Sequence, residues 1–124
     1  MPYNYPILVV EDDPDGQEVV ARMLTQVQIE SDIAGSAEEA LTLLGANAYT
    51  GVIIDLALPG KDGFQLLQLI RGDAALTSLP CIAVTAYHTP ELKHDALQIG
   101  FDGYFAKPIN RTLFLRAVEE IMYK

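Results

Sequence analysis

The side chains that could carry out chemistry follow short apolar segments at four places in the sequence. Glu11 and Asp12 follow the first segment, Asp55 the third, Thr85 the fourth and Lys107 the fifth. Clustered carboxylates bind hard divalent cations, and Mg²⁺ prefers a few carboxylates with several retained waters. A hydroxyl and an ammonium group suit phosphoryl oxygens, and a carboxylate can itself act as a nucleophile toward phosphorus. These residue types therefore predict phosphoryl transfer to a carboxylate, helped by a cation and by Lys107.

These residues meet only if the strands before them run in the same direction. Segments rich in valine and isoleucine predict buried parallel strands at residues 6–10, 51–54, 81–84 and 103–106, with a weaker strand at 29–34. Amphipathic segments of helical length separate them, which gives five β–α units and a three-layer, doubly wound α/β fold. Ligands bind such sheets beyond the carboxyl ends of the strands. The candidate residues all follow those ends.

Capping residues mark where the helices begin. Asp13 and Thr89 each precede a proline, which predicts an N-cap followed by proline at the first helical position. Ser36 and Glu39 have the spacing of a capping box. We therefore assign Asp13 to a cap, and Asp15 to the favourable end of the helix dipole, and not to a metal site.

Apolar stripes at helical spacing predict the core-facing sides of the first and last helices. The predicted stripes are Val20, Met23, Leu24 and Val27 in the first helix, and Leu113, Phe114, Ala117, Val118 and Ile121 in the last. Gly45 and Gly100 are placed where helices are expected to end. Leu115 and Met122 lie outside the second stripe, so they are candidates either for contact with a partner or for peripheral packing.

Composition restricts the class of protein. The chain has 124 residues, of which 50% are hydrophobic and 20% charged, so we expect a single globular domain spanning residues 1–124. The net charge of -9 disfavours direct binding to nucleic acid or to anionic membranes. We expect no signal peptide and no transmembrane helix, and therefore a cytoplasmic location. The single cysteine, Cys81, has no internal disulfide partner and is expected in the core.

The segments ILVVEDD, VIIDLALPGKDG, IAVTA and YFAKP, in this order and spacing, resemble the receiver domain of two-component response regulators. The resemblance covers essentially the whole chain and includes an Asp-x-x-x-Pro-x-x-Asp-Gly pattern across residues 55–63. It implies the flavodoxin-like strand order 2-1-3-4-5. It also implies a cis peptide bond before Pro108. A receiver is a signalling domain rather than an enzyme, although it takes phosphoryl groups from small donors and dephosphorylates itself.

The resemblance also implies roles for the residues at the strand ends. Asp55 corresponds to the phosphoacceptor, which receives a phosphoryl group from a sensor histidine kinase or a phosphotransfer protein. Asp12 corresponds to a direct Mg²⁺ ligand, and Glu11, which replaces the commoner aspartate, to a carboxylate often acting through water. The backbone carbonyl of Ala57 is implied as a further ligand. Leu58 replaces the commonest methionine, a mild apolar change.

Further implied roles concern the response to phosphorylation. Thr85 and Lys107 correspond to the pair that binds the phosphoryl oxygens, and Thr85 and Tyr104 to the switch residues. Ala57 and Tyr87 occupy positions that flank the path of the attacking water, so we expect them to tune the dephosphorylation rate, with Tyr87 shielding the phosphoryl group. The expected output surface is the fourth helix, fifth strand and fifth helix, residues 89–123, which would bind a downstream protein or a second copy of the chain.

Several alternatives remain open at this point. A phosphatase of the haloacid-dehalogenase type also uses a strand-end aspartate with Mg²⁺, but it needs a second aspartate where this chain has Ala57. A flavin-binding module of the same fold would place a phosphate against EDDPD, which would repel it. A phosphorylation-independent interaction module is a third alternative. His88 and His94 are read as solvated helix residues on different faces, not as metal ligands. We expect no output domain after Lys124, so the chain is expected to be a stand-alone receiver or an excised domain.

Overall fold

The structure of the protein is a computed structural model that describes residues 5–58, 60 and 62–123. Pro59 and Lys61, which belong to the predicted motif at residues 55–63, lie outside the described residues. Strands and helices alternate from the first strand to the last helix, as the sequence predicts.

Five parallel strands form one sheet in the order β2-β1-β3-β4-β5, which confirms the predicted fold and strand order. The strands are β1 (Ile7–Val10), β2 (Ser31–Ala34), β3 (Gly51–Asp55), β4 (Cys81–Thr85) and β5 (Gly103–Ala106). The second strand begins two residues later than predicted. Asp55 and Thr85 are the last residues of their strands, so the backbone of the sheet fixes both of them.

The five helices are α1 (Pro14–Thr25), α2 (Ala37–Ala46), α3 (Gly63–Gly72), α4 (Pro90–Ile99) and α5 (Arg111–Met122). The predicted N-caps are confirmed: the side chains of Asp13, Ser36 and Thr89 each accept a backbone N–H from the first turn. Glu39 departs from the predicted capping box, because its Oε1 accepts the N–H of Gly35 instead. Within the described residues, no helix is both long and apolar enough to cross a membrane.

Helices cover both faces of the sheet, which makes its central strands fully buried. Alternate strand residues face two separate cores. The core beneath α1 and α5 includes Ile7, Val9, Ile53, Ile82 and Val84, and the core beneath α2, α3 and α4 includes Leu8, Val10, Val52, Ile54 and Ala83. The two cores therefore fix the ends of the strands, and with them the polar residues that end or follow the strands.

The predicted helix stripes are wrong near their ends. Val27 lies beyond the end of α1 and is 37% exposed, because the chain leaves the helix and turns through Gln28 at φ 64°. Leu113 is 52% exposed, while Met122, predicted to lie off the core stripe, is buried in the core. The buried line of α5 is spaced by four residues and consists of Phe114, Val118 and Met122. The spacing of apolar residues alone does not determine which residues at the border of a helix stripe face the core.

Other packing predictions have mixed outcomes. Leu115 packs partly buried against the core beneath α1 and α5, so peripheral packing is the correct alternative for this residue. Gly100 caps the end of α4 with φ 125°, a backbone conformation that favours glycine. Gly45 lies inside α2, which continues to Ala46 and is capped by Asn47.

Cys81 is buried at the start of β4, as predicted. Its N–H donates to Oδ2 of Asp102 at 2.8 Å, and Arg71 contacts that carboxylate at 3.0 Å. Arg71 also donates to the carbonyl oxygens of Leu79 and Gly100 at 2.6 and 2.8 Å. Burial raises the pKa of the Cys81 thiol to about 12, against a smaller lowering effect of Arg71. The thiol is thus a protonated core group beneath a network that joins α3, β4 and the turn before β5.

Candidate functional site

The carboxyl ends of four neighbouring strands bring the predicted site residues together at one edge of the sheet. Glu11 and Asp12 follow β1, Asp55 ends β3, Thr85 ends β4 and Lys107 follows β5. Those strands are adjacent in the order β1-β3-β4-β5, whereas β2, at the other margin from β5, carries none of these residues. The parallel arrangement therefore assembles residues that are far apart in the sequence.

Lys107 lies between two carboxylates of this edge. Its Nζ is 2.9 Å from Oδ2 of Asp55 and 2.5 Å from Oε1 of Glu11. The other oxygen of Asp55, Oδ1, accepts the N–H of Ala57 at 2.8 Å. The peptide bond between Lys107 and Pro108 is cis, as the resemblance implies, and the Lys107 N–H donates to the carbonyl of Thr85 at 2.8 Å. Both oxygens of Asp55 are therefore oriented by donors.

Burial and mutual contact shift the pKa values of all three groups. Burial, together with the neighbouring Asp55, raises the pKa of Glu11 to about 7. Burial also acts to raise the pKa of Asp55, but hydrogen bonds with Glu11, Ala57 N–H and Lys107 outweigh it and lower that pKa. Burial disfavours the charged form of Lys107, yet the two carboxylates raise its pKa. At neutral pH the site therefore pairs an ionised Asp55 with a charged Lys107, and Glu11 ionises at a higher pH than Asp55.

Three carboxylates form a group with the chemistry of a divalent-cation site. One carboxylate oxygen each from Glu11, Asp12 and Asp55 lies within 4.8 Å of the others. Glu11 and Asp55 are buried, whereas Asp12 is exposed and leaves the group open to solvent. An all-oxygen, partly open set of this kind fits Mg²⁺, whose charge would offset the repulsion among the carboxylates. Ala57 lies beside this group through its contact with Asp55.

The predicted switch and rate-tuning residues lie on the neighbouring strands and loop. Thr85 is buried, and its Oγ1 accepts the N–H of Tyr87 at 3.1 Å. The Tyr87 side chain is 73% exposed at the rim. Tyr104, on β5, is partly buried, and burial raises the pKa of its phenol.

His88 is exposed, in agreement with its sequence-based interpretation as a solvated residue, but it does not lie in a helix. It precedes α4, and its Nδ1 is 2.9 Å from the hydroxyl of Tyr104. The two rings are tilted relative to each other, and their centroids lie 5.5 Å apart. His94 lies within α4 and is exposed. Sequence reasoning missed the contact of His88 because helical spacing was applied to a loop residue, and no local pattern marks a contact between a loop and β5.

Comparisons with known proteins identify the family of this chain. The profile of the response regulator receiver domain matches residues 7–119, so this chain belongs to that family. A 14.6 kDa uncharacterized protein from Leptolyngbya boryana is 37% identical over 114 residues, which cover 92% of this chain and 87% of the relative. Receivers are signalling domains of two-component systems that interact with histidine kinases or phosphotransfer proteins, and they are not conventional enzymes.

Solved structures share the fold over nearly the whole chain. A putative response regulator from Chloroflexus aurantiacus has a TM-score of 0.92 at 29% identity, covering 97% of this chain and 98% of that one. The receiver domain of the sensor histidine kinase PA1611 from Pseudomonas aeruginosa has a TM-score of 0.87 at 28% identity, with coverages of 97% and 98%. That structure is described with a magnesium ion coordinated in its active site cleft. Family membership thus favours the receiver over the phosphatase and flavin-binding alternatives.

Proposed function

We propose that this receiver accepts a phosphoryl group on Asp55 from the phosphohistidine of a sensor histidine kinase or phosphotransfer protein. The observation that carries the proposal is the contact of Asp55 with Lys107 at 2.9 Å, beside a group of three carboxylates at the carboxyl edge of the sheet. A lone buried aspartate would be protonated, whereas this one is held ionised by its donors and can act as a nucleophile.

The transfer step uses the orientation of the Asp55 carboxylate. One of its oxygens forms a bond to phosphorus while the bond between phosphorus and the donor imidazole nitrogen breaks. The imidazole leaves with the electron pair of that bond. Lys107 would then offset charge on the phosphoryl oxygens, and the Thr85 hydroxyl would donate to one of them. Thr85 Oγ1 accepts the N–H of Tyr87, which leaves its hydroxyl proton for that bond.

Glu11, Asp12, Asp55 and the backbone carbonyl of Ala57 would hold Mg²⁺, which supplies charge neutralisation at the phosphoryl oxygens when bound. The proximity of the three carboxylates supports this assignment. The exposed position of Asp12 is consistent with a cation that keeps several waters.

The response to phosphorylation would pass from Thr85 to Tyr104. The two residues lie on adjacent strands, and the loop that follows Thr85 already contacts Tyr104 through His88. The output surface would be α4, β5 and α5, where Leu97 and Leu113 are exposed apolar residues at 44% and 52%. A downstream protein or a second copy of the chain would bind there.

Ala57 and Tyr87 would set the lifetime of the phosphorylated state. Ala57 is small and exposed beside Asp55, so it leaves water access to the phosphoryl group. Tyr87, although largely exposed, is anchored through its N–H to Thr85 and could cover the opposite side of the phosphoryl group.

The proposal is tested by incubating the protein with Mg²⁺ and acetyl phosphate and measuring the intact mass. We expect a base-labile adduct with the mass of one phosphoryl group, abolished in Asp55→Asn and retained in Asp95→Asn, which alters an exposed aspartate of α4. Tight binding of beryllofluoride should show the same dependence. An adduct that survives Asp55→Asn, or no adduct at any Mg²⁺ concentration, would contradict the proposal and favour a phosphorylation-independent interaction module.

A further inference from the structure

Gly16, in the first turn of α1, lies directly against the carboxylate of Glu11. A Cβ atom built on Gly16 would lie 2.4 Å from Oε1 of Glu11 and 2.8 Å from its Cδ. Both distances are far below normal contact, so any larger residue at position 16 must displace the end of the Glu11 side chain. No local sequence pattern marks this glycine, which resembles an ordinary helix residue.

The displaced atom is the carboxylate oxygen through which Glu11 contacts Lys107. Oε1 is the atom that contacts Lys107, while Oε2 accepts the N–H of Asp13 at 3.3 Å. The backbone carbonyl of Glu11 accepts a hydrogen bond from Nε2 of Gln17 at 2.7 Å, so the first turns of α1 also hold the backbone of this residue. Glu11 is only 2% exposed and has little freedom to take another route to the carboxylate group.

The choice of glycine at this position has no local explanation. Gly16 is not at a positive φ, and glycine in a helix is less favourable than alanine. Glutamate is one methylene longer than aspartate, so its carboxylate needs space that a shorter acid would not use. A residue without Cβ provides that space where the strand end meets the helix.

We propose that Gly16 is a positioning residue, whose missing side chain lets Glu11 fold against α1 so that its carboxylate reaches Lys107 and the cation group. Glu11 and Gly16 thus act as a matched pair. The inference rests on the proposed Mg²⁺-dependent function of the site. A larger residue at position 16 would change the position of the Glu11 carboxylate and not the backbone, because the clashing atoms belong to the end of a flexible side chain.

The test compares Gly16→Ala with the wild type by calorimetric titration with Mg²⁺ alone and by thermal unfolding without Mg²⁺. We expect the Kd for Mg²⁺ to rise about tenfold, as for residues that orient metal ligands. The Tm should change little, because the better helix propensity of alanine offsets the lost contact between Glu11 and Lys107. A purely structural glycine would give the opposite result, a lower Tm with an unchanged Kd, and would overturn the inference.

Gly45→Ala is the matched control. Gly45 lies inside α2, and a Cβ built there meets nothing within 4 Å. The same substitution should therefore raise the Tm, because no contact is lost, and leave the Kd for Mg²⁺ within about twofold of wild type.

The pairing is tested in the Glu11→Asp background. Aspartate lacks the terminal atoms that approach Gly16 most closely, so adding Gly16→Ala there should change the Kd by less than about threefold. An equal loss in both backgrounds would show that Gly16 acts by another route. If the wild type itself bound no Mg²⁺, the proposed function would fail, whereas normal wild-type binding with an unaffected Gly16→Ala would refute only the matched pair.

Discussion

Lys107 Nζ and Asp55 Oδ2 lie 2.9 Å apart, although 52 positions separate the two residues in the chain. The contact depends on two parallel strands, β3 and β5, that are not neighbours in the sheet but both end at its carboxyl edge. Lys107 reaches across β4 and contacts Glu11 as well. One ammonium group thus offsets the charge of two buried carboxylates.

Replacing Lys107 by methionine should destabilise the protein and abolish phosphorylation. The carboxylates of Glu11 and Asp55 would remain buried without their charged donor, which costs about 1–3 kcal/mol in the free energy of unfolding. Because the pKa of Lys107 is raised, its contribution is complete below the pKa of an unfolded lysine and is lost as pH rises through the raised pKa. Urea denaturation at pH 7 without Mg²⁺ measures the change. Lys93→Met, on the exposed side of α4, is the control, and equal stability of both variants would contradict the prediction.

Mg²⁺ should stabilise the folded protein through the three-carboxylate group. A ligand at ten times its Kd that binds only the native state adds about 1.4 kcal/mol to the free energy of unfolding. Thermal unfolding with Mg²⁺ and with excess chelator measures the effect. The increment should disappear in Asp12→Asn and persist in Asp15→Asn, since Asp15 lies in the first turn of α1 outside the carboxylate group. An increment that survives Asp12→Asn would place the cation elsewhere.

Truncating Tyr87 to alanine should shorten the lifetime of the phosphorylated state. Because the ring is 73% exposed, we expect only a small effect, about a two- to fivefold faster decay. The measurement is the loss of the adduct after removal of acetyl phosphate. Tyr5→Ala, another exposed tyrosine located before β1, should leave the decay unchanged. A slower or unaltered decay in Tyr87→Ala would exclude the shielding role.

The thiol of Cys81 should resist alkylation in the native state. With its pKa raised to about 12, the thiolate fraction at pH 8 is roughly a thousandfold smaller than for an ordinary cysteine. Native protein should therefore react with iodoacetamide much more slowly than protein unfolded in urea. The thiol has no effect on the free energy of unfolding below the pKa of the unfolded cysteine, and above that pKa the free energy of unfolding falls because the unfolded chain ionises. Equal alkylation rates in the two states would show that the site opens.

Much of the fold and the site could be predicted from the sequence. Apolar segments such as ILVV and CIAVT specify buried strands through local composition, and Asp13 and Thr89 specify helix starts through hydrogen bonds to their own first turns. Both signals act within a few residues, so they are readable without a structure. Parallel topology then places Asp55, Thr85 and Lys107 at one edge without any further information.

Only the tertiary structure decided how those residues meet. The exposure of Leu113 and the burial of Met122 depend on the angle at which α5 packs on the sheet, which spacing does not encode. The contact of His88 with Tyr104 depends on the path of a loop, and the clearance between Gly16 and Glu11 on a few ångströms between a strand end and a helix. Sequence patterns record which residues face a core or begin a helix, because those are local properties. Distances between elements, and the charges they create, arise only when the chain is packed.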